Sequence, residues 1–197
     1  MTEFTVKPLA PATWDAYADL VERHNGVWGG CWCTWFHTMA AEKERDAAAN
    51  RRLKQRLVAE GRAHAALVFD GDRAVGWCQY GSPDELPNIY HRKEYEAGLT
   101  RRPDYRVTCF FVDRDYRRRG VAEAALRGAL TLIATAGGGV VEGYPHQLEE
   151  GQRVSASFLY SCTRRMFEEA GFTYQRPKGA KNCVMVKRVA ASRAATR

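Results

Sequence analysis

The chain has 197 residues, of which 45% are hydrophobic and 27% are charged, and this composition indicates one globular domain rather than a disordered chain. No apolar run approaches the roughly 18 residues of a membrane span, and the first residues lack a secretory signal pattern, so we expect a cytoplasmic protein without a membrane partner. The net charge of +7 is concentrated in two segments, which excludes the uniformly basic surface of a protein that coats nucleic acid.

The hydrophobic pattern predicts a succession of strands and helices. In chain order the predicted elements are a strand over 4–9, helices over 11–24 and 40–60, strands over 63–69, 73–80 and 106–112, a helix over 120–136, a strand over 140–144, a helix over 155–170, and strands over 172–175 and 183–189. A further short helix is expected at 88–96, within a turn-rich insertion over 81–105. This order predicts a single mixed α/β domain over residues 1–189, with helices on the faces of one sheet.

The two basic segments differ in their setting. Residues 187–197 contain four basic residues and no acid, and we expect residues 190–197 to be a mobile basic tail. Residues 100–122 contain seven arginines against three aspartates, and they run from a predicted strand through Gly120 into a predicted helix. A helix N-terminus offers unpaired N–H groups and a glycine lets the backbone approach a ligand, so this turn suits a pyrophosphate. An ordinary strand-to-helix turn with surface arginines is the alternative that the residues leave open.

The turn resembles the coenzyme A loop of the GNAT superfamily of N-acetyltransferases, Gln/Arg-x-x-Gly-x-Gly/Ala, which Arg117, Gly120 and Ala122 match. The resemblance covers most of the chain after residue 60. It implies an α/β fold with a GNAT-like mixed, mostly antiparallel central sheet and helices on both faces. It also implies that backbone groups of 118–122 hold the pyrophosphate of acetyl-CoA, beside a strand that pairs with the pantetheine arm. The implied coenzyme-binding residues are Phe111, Val112, Arg117, Arg118, Arg119, Gly120, Val121, Ala122 and Ser161.

One departure from the family concerns the acid that protonates the departing thiolate. The family often has a tyrosine four residues before the glycine of a closing Gly-Phe pair, and here that position is Phe167. Seven residues earlier, where an asparagine often touches the pantetheine, this chain has Tyr160. We therefore consider Tyr160 as the acid and the neighbouring Ser161 as a coenzyme contact. A tyrosine at helical spacing is more often core packing, and a thiolate can leave without a protein acid.

The incoming ammonium also needs a base. Glu142 is the first candidate, because it lies in the otherwise apolar strand Gly-Val-Val-Glu-Gly-Tyr, and apolar surroundings make a carboxylate a better base. The resemblance implies that this strand diverges beside the pantetheine, with its side chains facing the acceptor. The alternative is a structural carboxylate paired with an arginine. His146 is the second candidate for the base.

The acceptor pocket is the least determined part of the site. The resemblance implies that the segment between the first two helices lines it, so Trp28, Trp32 and Trp35 would form a flat apolar wall. Tyr90 and Tyr95 of the insertion would cover the acceptor side. A loop packed onto the core is the alternative for the tryptophans.

The sequence therefore predicts an N-acyltransferase that moves an acetyl group from acetyl-CoA to a primary amine, on a small molecule or a protein, by direct attack in a ternary complex. The oligomeric state stays open; dimers are common in the superfamily, so a homodimer is one alternative by analogy. Two alternatives remain. A GNAT-like transferase with an aminoacyl-tRNA donor is favoured by the basic tail and by the basic residues of helix 40–60, and a non-catalytic acyl-CoA-binding regulatory module is favoured by Phe167. Cys31, Cys33 and His37 lack a fourth ligand, so we expect free thiols and no metal.

Overall fold

A computed structural model describes residues 4–39, 46–148 and 160–192 of the protein. The strands are β1 (Thr5–Pro8), β2 (His64–Asp70), β3 (Arg73–Gly81), β4 (Tyr105–Val112), β5 (Gly139–Gly143), β6 (Thr173–Lys178) and β7 (Asn182–Val189). The helices are α1 (Trp14–Glu22), α2 (Ala47–Ala59), α3 (Arg92–Ala97), α4 (Val121–Thr135) and α5 (Arg164–Glu169).

The strands form one sheet in the order β1-β2-β3-β4-β5-β7-β6. Neighbouring strands are antiparallel, except that β4 and β5 are parallel. The predicted mixed, mostly antiparallel sheet is confirmed. Its parallel pair is the point at which α4 crosses from one strand to the next.

Helices cover both faces of the sheet because side chains on a strand alternate between its faces. On one face, Leu67 and Trp77 of the central strands pack with Leu57 of α2 and with α1. On the other face, Val68 packs with Leu126 of α4 and with α5. Two apolar layers therefore hold the sheet between them.

The pairing between β4 and β5 is short. It ends at Val107 and Gly143. On the other side of β4, Val107 and Cys109 pair with consecutive residues of β3, so Thr108 lies in a bulge. A bulge bends its strand and increases the local twist. Beyond Thr108 the two parallel strands therefore diverge and leave a gap between them.

The last helix is shorter than the pattern predicted. It begins at Arg164, after Thr163 caps it by accepting a hydrogen bond from the Met166 N–H, and the predicted helical residues 155–159 lie outside the described ranges. Residues 160–163 form no helix: Cys162 has a φ of +58° and its carbonyl accepts a hydrogen bond from the His146 N–H at 2.9 Å. Pairing with residue 146, which is distant in sequence, replaces the predicted first turns.

Other element ends also differ from the prediction. α2 begins at Ala47 after its cap Asp46, and the predicted helical residues 40–45 lie outside the described ranges. β6 continues through Pro177 to Lys178, where a loop was predicted, and the proline is tolerated because β6 is an edge strand. In the predicted tail, the Ser192 N–H donates to a carbonyl of α4, and residues 193–197 lie outside the described part of the chain. None of the described helices has the length and apolar character that crossing a membrane requires.

Candidate active site

A large cavity of about 820 Å³ opens where β4 ends and α4 begins. One wall consists of the end of β4, the arginine loop and the first turn of α4, and the facing wall comes from residues 23–28 and 162–166. This volume lies in the range of small-molecule sites, roughly 300–1,000 Å³. Of the predicted coenzyme residues, the cavity is lined by Phe111, Val112, Arg117, Arg118, Gly120, Val121 and Ala122.

Gly120 shapes the phosphate-sized end of this cavity. It has a φ of +80°, and a Cβ placed there would meet one neighbour, the Glu123 carboxylate, at 3.3 Å. The first intrahelical bond of α4 runs from the Ala124 N–H to the Gly120 carbonyl. The preceding N–H groups have no partner within the helix and lie at the positive end of its dipole. The residues present therefore fit a pyrophosphate.

Asp113 fixes the loop between β4 and α4. Its side chain is buried and accepts hydrogen bonds from Arg73 at 3.2 Å and from the Asp115 N–H at 3.1 Å. Arg23 and His24, which line the facing wall, both lie 3.4 Å from the same carboxylate. Burial raises the pKa of Asp113, but the Asp115 N–H, His24 and Arg23 outweigh it and lower this pKa overall. One carboxylate therefore joins both walls of the large cavity.

Two predicted coenzyme residues do not line the large cavity. The Arg119 guanidinium lies 4.6 Å from the centre of the ring of Tyr116, which does line it. Ser161 is buried, and it lines a second cavity instead. The sequence could not separate these positions, because the path of residues 160–163 depends on long-range pairing.

The second, small cavity has a volume of about 20 Å³. It is lined by Phe36, Ile89, Tyr90, Thr108, Tyr144, Tyr160, Ser161, Lys178 and Asn182. Thr108 lines this small cavity and Phe110 lines the large one. Residues two apart on a strand are about 7 Å apart, so the two cavities lie at neighbouring positions of β4, beyond the end of its pairing with β5.

Tyr160 stands between the two cavities. Its ring centre lies 6.3 Å from that of Trp28 on the large-cavity side and 6.1 Å from that of Tyr90 on the small-cavity side. Its carbonyl accepts a hydrogen bond from the Phe110 N–H at 2.7 Å, across the gap beside β4. Strand alternation directs the Val112 N–H toward the same gap. Burial raises the pKa of Tyr160, so its hydroxyl stays protonated at neutral pH.

Phe167 is a core residue. Its ring packs against Phe110 and Phe172, and a Cβ built on Gly143 would lie 2.1 Å from a Phe167 ring carbon. The side chain at this position therefore points into the apolar layer beneath the sheet, and neither its chemistry nor its placement supplies a proton.

Glu142 is buried, but its surroundings are polar. Tyr95 and Tyr144 donate their hydroxyl hydrogens to Glu142 Oε2 at 2.7 and 2.9 Å. The neighbouring position on β4 is Arg106, whose guanidinium donates to a backbone carbonyl. The expectation that Glu142 has apolar neighbours is wrong. The fold packs α3 against β5, which brings the Tyr95 hydroxyl to the Glu142 carboxylate. Tyr144 lines the small cavity, so one hydroxyl links the carboxylate to it.

His146 lies beside Tyr160. It is buried, and its ring centre is 5.8 Å from that of Tyr160 in an edge-to-face arrangement. The residue lines a separate cavity with Arg164 and Gln147. Its role as a second candidate for the base stays a prediction.

The aromatic residues predicted for the acceptor pocket separate into three groups. Trp28 lines the large cavity, with its ring edge toward Phe111. Trp35 stacks on Tyr90, with ring centres 3.8 Å apart, and Tyr90 lines the small cavity. Trp32 and Tyr95 are 3% and 1% exposed and line neither cavity, because both are enclosed by core residues.

His37, which follows the two cysteines, uses both ring nitrogens in contacts within the protein. His37 Nδ1 lies 2.9 Å from the Glu85 carbonyl, and Nε2 lies 3.0 Å from Lys54 Nζ. Burial, followed by the charge of Lys54, lowers the pKa of His37 well below its ordinary value. Among the described residues, no group of three His, Cys, Asp or Glu side chains is arranged to hold a metal ion.

The family model described as the acetyltransferase (GNAT) family matches residues 28–142, more than half of the chain. The chain belongs to the GNAT family of acetyltransferases. No curated protein has a sequence that matches it.

Solved structures of GNAT proteins share its fold. One is a GNAT-family protein from Desulfovibrio desulfuricans, with 15% identity and a TM-score of 0.54 over 95% of this chain and 100% of that chain. Another is histone acetyltransferase HPA2 and related acetyltransferase from Corynebacterium glutamicum. It has 16% identity and a TM-score of 0.53 over 98% of this chain and 100% of that chain. Mosquito arylalkylamine N-acetyltransferase like 5b has 14% identity and a TM-score of 0.53 over 94% and 100%.

Sequence reasoning missed several residues that line the two cavities, among them Thr108 and Tyr144 of the small one. Cys162 lines the large cavity, and Lys178 lines the small one. Lys178 follows a proline and precedes a glycine, which is the composition of a turn, so no sequence signal indicated a buried lysine.

Proposed function

We propose that the protein transfers the acetyl group of acetyl-CoA to a primary amine by direct attack in a ternary complex. The observation that carries this proposal is that Phe110 lines the large cavity and Thr108, two residues earlier on β4, lines the small one. A donor in the large cavity and an amine held beside the small cavity reach the same gap. The acetyl group then passes to the amine without a covalent intermediate on the protein.

The donor would be held mainly by backbone groups. The N–H groups of 118–122 bind the pyrophosphate, and Arg117 and Arg118 add positive charge at the same end. Phe111 and Val112 lie beside the pantetheine arm. The Val112 N–H, which strand alternation directs into the gap, stabilises the oxyanion that develops as the amine attacks.

Proton transfer involves groups around the small cavity. Glu142 takes the proton of the incoming ammonium through the Tyr144 hydroxyl, which donates to the carboxylate at 2.9 Å and lines the cavity. Tyr160 lies between the cavities and is the candidate proton donor to the thiolate. Because burial raises the pKa of Tyr160, its hydroxyl is a weak acid. It donates a hydrogen bond to the departing thiolate rather than transferring its proton completely.

The aminoacyl-tRNA donor is the less favoured alternative. Two arginines of α2 that would contact a phosphate backbone are paired with acids, Arg51 with Glu22 at 3.1 Å and Arg56 with Glu60 at 3.8 Å. Pairing reduces the charge available to phosphates. The cytoplasmic location and the homodimer stay predictions.

A titration with acetyl-CoA, followed by a screen of primary amines for thiol release, tests the proposal. We expect saturable binding of acetyl-CoA and release of coenzyme A that depends on an amine. Tight acetyl-CoA binding without turnover on any amine would indicate the regulatory module instead. Acyl transfer from aminoacyl-tRNA, with no binding of acetyl-CoA, would identify the other donor.

A further inference from the structure

The small cavity contains a buried cation that acetyl transfer does not by itself require. Lys178, on edge strand β6, is 3% exposed and lines the cavity. Its Nζ lies 5.2 Å from the centre of the Tyr144 ring. Within the described ranges, no carboxylate lies within the 4.0 Å of a salt bridge to this ammonium. A buried charge without a partner is costly, so the fold maintains an incomplete ion pair here.

The charges around Lys178 increase its need for an anion. Burial, together with the guanidinium groups of Arg106 and Arg176, lowers the pKa of Lys178 to about 8. Glu94 acts in the opposite direction, but its carboxylate accepts a hydrogen bond from the Gly179 N–H at 2.8 Å. An anion placed against the ammonium would compensate the two arginines.

Two hydroxyl groups of the same cavity can donate to an anion. Thr108 Oγ1 accepts a hydrogen bond from Gln79 at 3.3 Å, which leaves the threonine hydroxyl hydrogen available. Ser161 Oγ lies 3.5 Å from the Asn182 amide nitrogen, which leaves its hydroxyl hydrogen available as well. Both side chains are buried, at 3% and 5% exposure. The cavity therefore presents an ammonium and two hydroxyl donors, which is the chemistry that binds a carboxylate.

We propose that the acceptor is an amino acid, and that Lys178, Thr108 and Ser161 bind its carboxylate while its amine faces the gap beside β4. This inference rests on the proposed function. The cavity has a volume of about 20 Å³, room for one oxygen-sized guest, so a carboxylate oxygen enters it and the rest of the acceptor extends past Tyr90. The amine of an α-amino acid is three bonds from a carboxylate oxygen, so a carboxylate bound at Thr108 keeps the amine within the roughly 7 Å that separate Thr108 from Phe110.

Binding to the coenzyme-loaded protein tests the proposal without requiring turnover. The probes are the twenty proteinogenic α-amino acids, each titrated by calorimetry into the protein saturated with coenzyme A, and then the amide of the one that binds best. We expect the amide to bind about 10- to 100-fold more weakly than the acid, since a hydrogen-bonded charge contact is lost.

Lys178→Met removes the charge and keeps the length of the side chain. We expect this variant to bind acetyl-CoA normally, to raise the KM for the amino acid about 10- to 100-fold, and to lose the preference for acid over amide. The matched control is Lys181→Met, an exposed lysine of the same hairpin, which should retain the preference. The acid-to-amide ratio is the deciding readout, because a purely structural role of Lys178 would weaken acid and amide equally.

The outcomes separate the two proposals. If no amino acid binds to the coenzyme-loaded protein, or if acid and amide bind equally, the carboxylate site is wrong. Acetylation of other amines in that case would leave the proposed function standing. If amino acids bind as predicted but no amine of any kind releases coenzyme A from acetyl-CoA, the proposed function fails and the binding site stands.

Discussion

Gly120 combines a left-handed backbone with open space toward the large cavity, and the two properties can be tested separately. Gly120→Glu places a carboxylate among the phosphate-binding N–H groups, so we expect loss of acetyl-CoA binding in calorimetry while the protein stays folded. Gly120→Ala adds only the backbone strain at a φ of +80°, about 1–2 kcal/mol, and should bind more tightly than the glutamate variant. Unchanged affinity of the glutamate variant would remove this loop from the coenzyme site.

The role of Glu142 as base gives a defined kinetic result. Glu142→Gln should keep the affinity for acetyl-CoA and lower kcat by about 10²- to 10⁴-fold, the range for loss of a general base. The loss should diminish at high pH, where the amine is already neutral. Tyr144→Phe is the matched variant, because it removes the linking hydroxyl and keeps the carboxylate. A wild-type rate of the glutamine variant at neutral pH would transfer the role to His146.

Lys178 also makes stability depend on pH. Its pKa in the folded protein is about 8, below the ordinary value of 10.5. Below pH 8 the lysine is charged in both states and destabilises the fold fully. Between about pH 8 and 10.5 the unfolded chain still holds the proton, so the contribution of this group to stability rises with pH. We expect Lys178→Met to raise Tm at pH 7, by an amount that shrinks toward pH 10.

Thermal unfolding of the lysine variant at the two pH values measures this effect. The gain at pH 7 should be of order 1–3 kcal/mol, the cost of an unpaired buried charge after relaxation. Lys181→Met should show no gain. A gain that is the same at both pH values would mean that packing, not charge, is responsible.

At the scale of elements, the contact between β5 and α5 is tight. A Cβ at Gly143 would lie 2.1 Å from the Phe167 ring, so Gly143→Ala should destabilise the protein by about 1–3 kcal/mol, measured by denaturant unfolding. Phe167→Leu in the same chain should recover part of the loss, because the smaller side chain vacates the space. Simple addition of the two single effects would show that these residues do not interact.

The elements with local signals could be predicted from the sequence. The β2–β3 hairpin has an Asp-Gly turn, and α4 has apolar residues at helical spacing between two glycines. Residues 160–163 could not be predicted, because their conformation depends on pairing with His146. The end of β6 could not be predicted either, since the turn composition of Pro177 and Gly179 conceals an edge strand.

The same distinction applies to the candidate site. The arginine loop and Gly120 adjoin each other in the sequence, so one motif indicated the large cavity. The small cavity draws Thr108, Ser161 and Lys178 from separate parts of the chain, and only the sheet order brings them together. The environment of Glu142 was predicted wrongly for this reason, because Tyr95 belongs to a helix with no sequence link to β5.

Over the whole molecule, the distribution of charge predicts a different salt dependence of binding for each of the two candidate donors. If acetyl-CoA is the donor, only a few phosphates are bound near 117–122, so affinity should fall modestly with salt. An aminoacyl-tRNA would contact many phosphates, and the logarithm of its affinity should fall by roughly 0.7–0.9 per contact with the logarithm of salt. We expect deletion of residues 193–197 to leave the KM for acetyl-CoA nearly unchanged. Tight tRNA binding with a steep salt slope would contradict the acetyl-CoA assignment.

The short pairing between β4 and β5 divides the sheet into two leaves, β1 to β4 and β5 to β7. Among the described residues, three residue pairs join the leaves, hydrogen bonds between Asp104 and Val140 precede them, and the Phe110 N–H donates to the Tyr160 carbonyl beyond them. At this end one described backbone hydrogen bond stands where a ladder would otherwise run, so this edge of β4 has fewer backbone contacts than the paired strands. A donor that takes the place of this carbonyl therefore displaces one backbone hydrogen bond at the gap, while the apolar layer that contains Phe110 and Phe167 spans both leaves and holds them together.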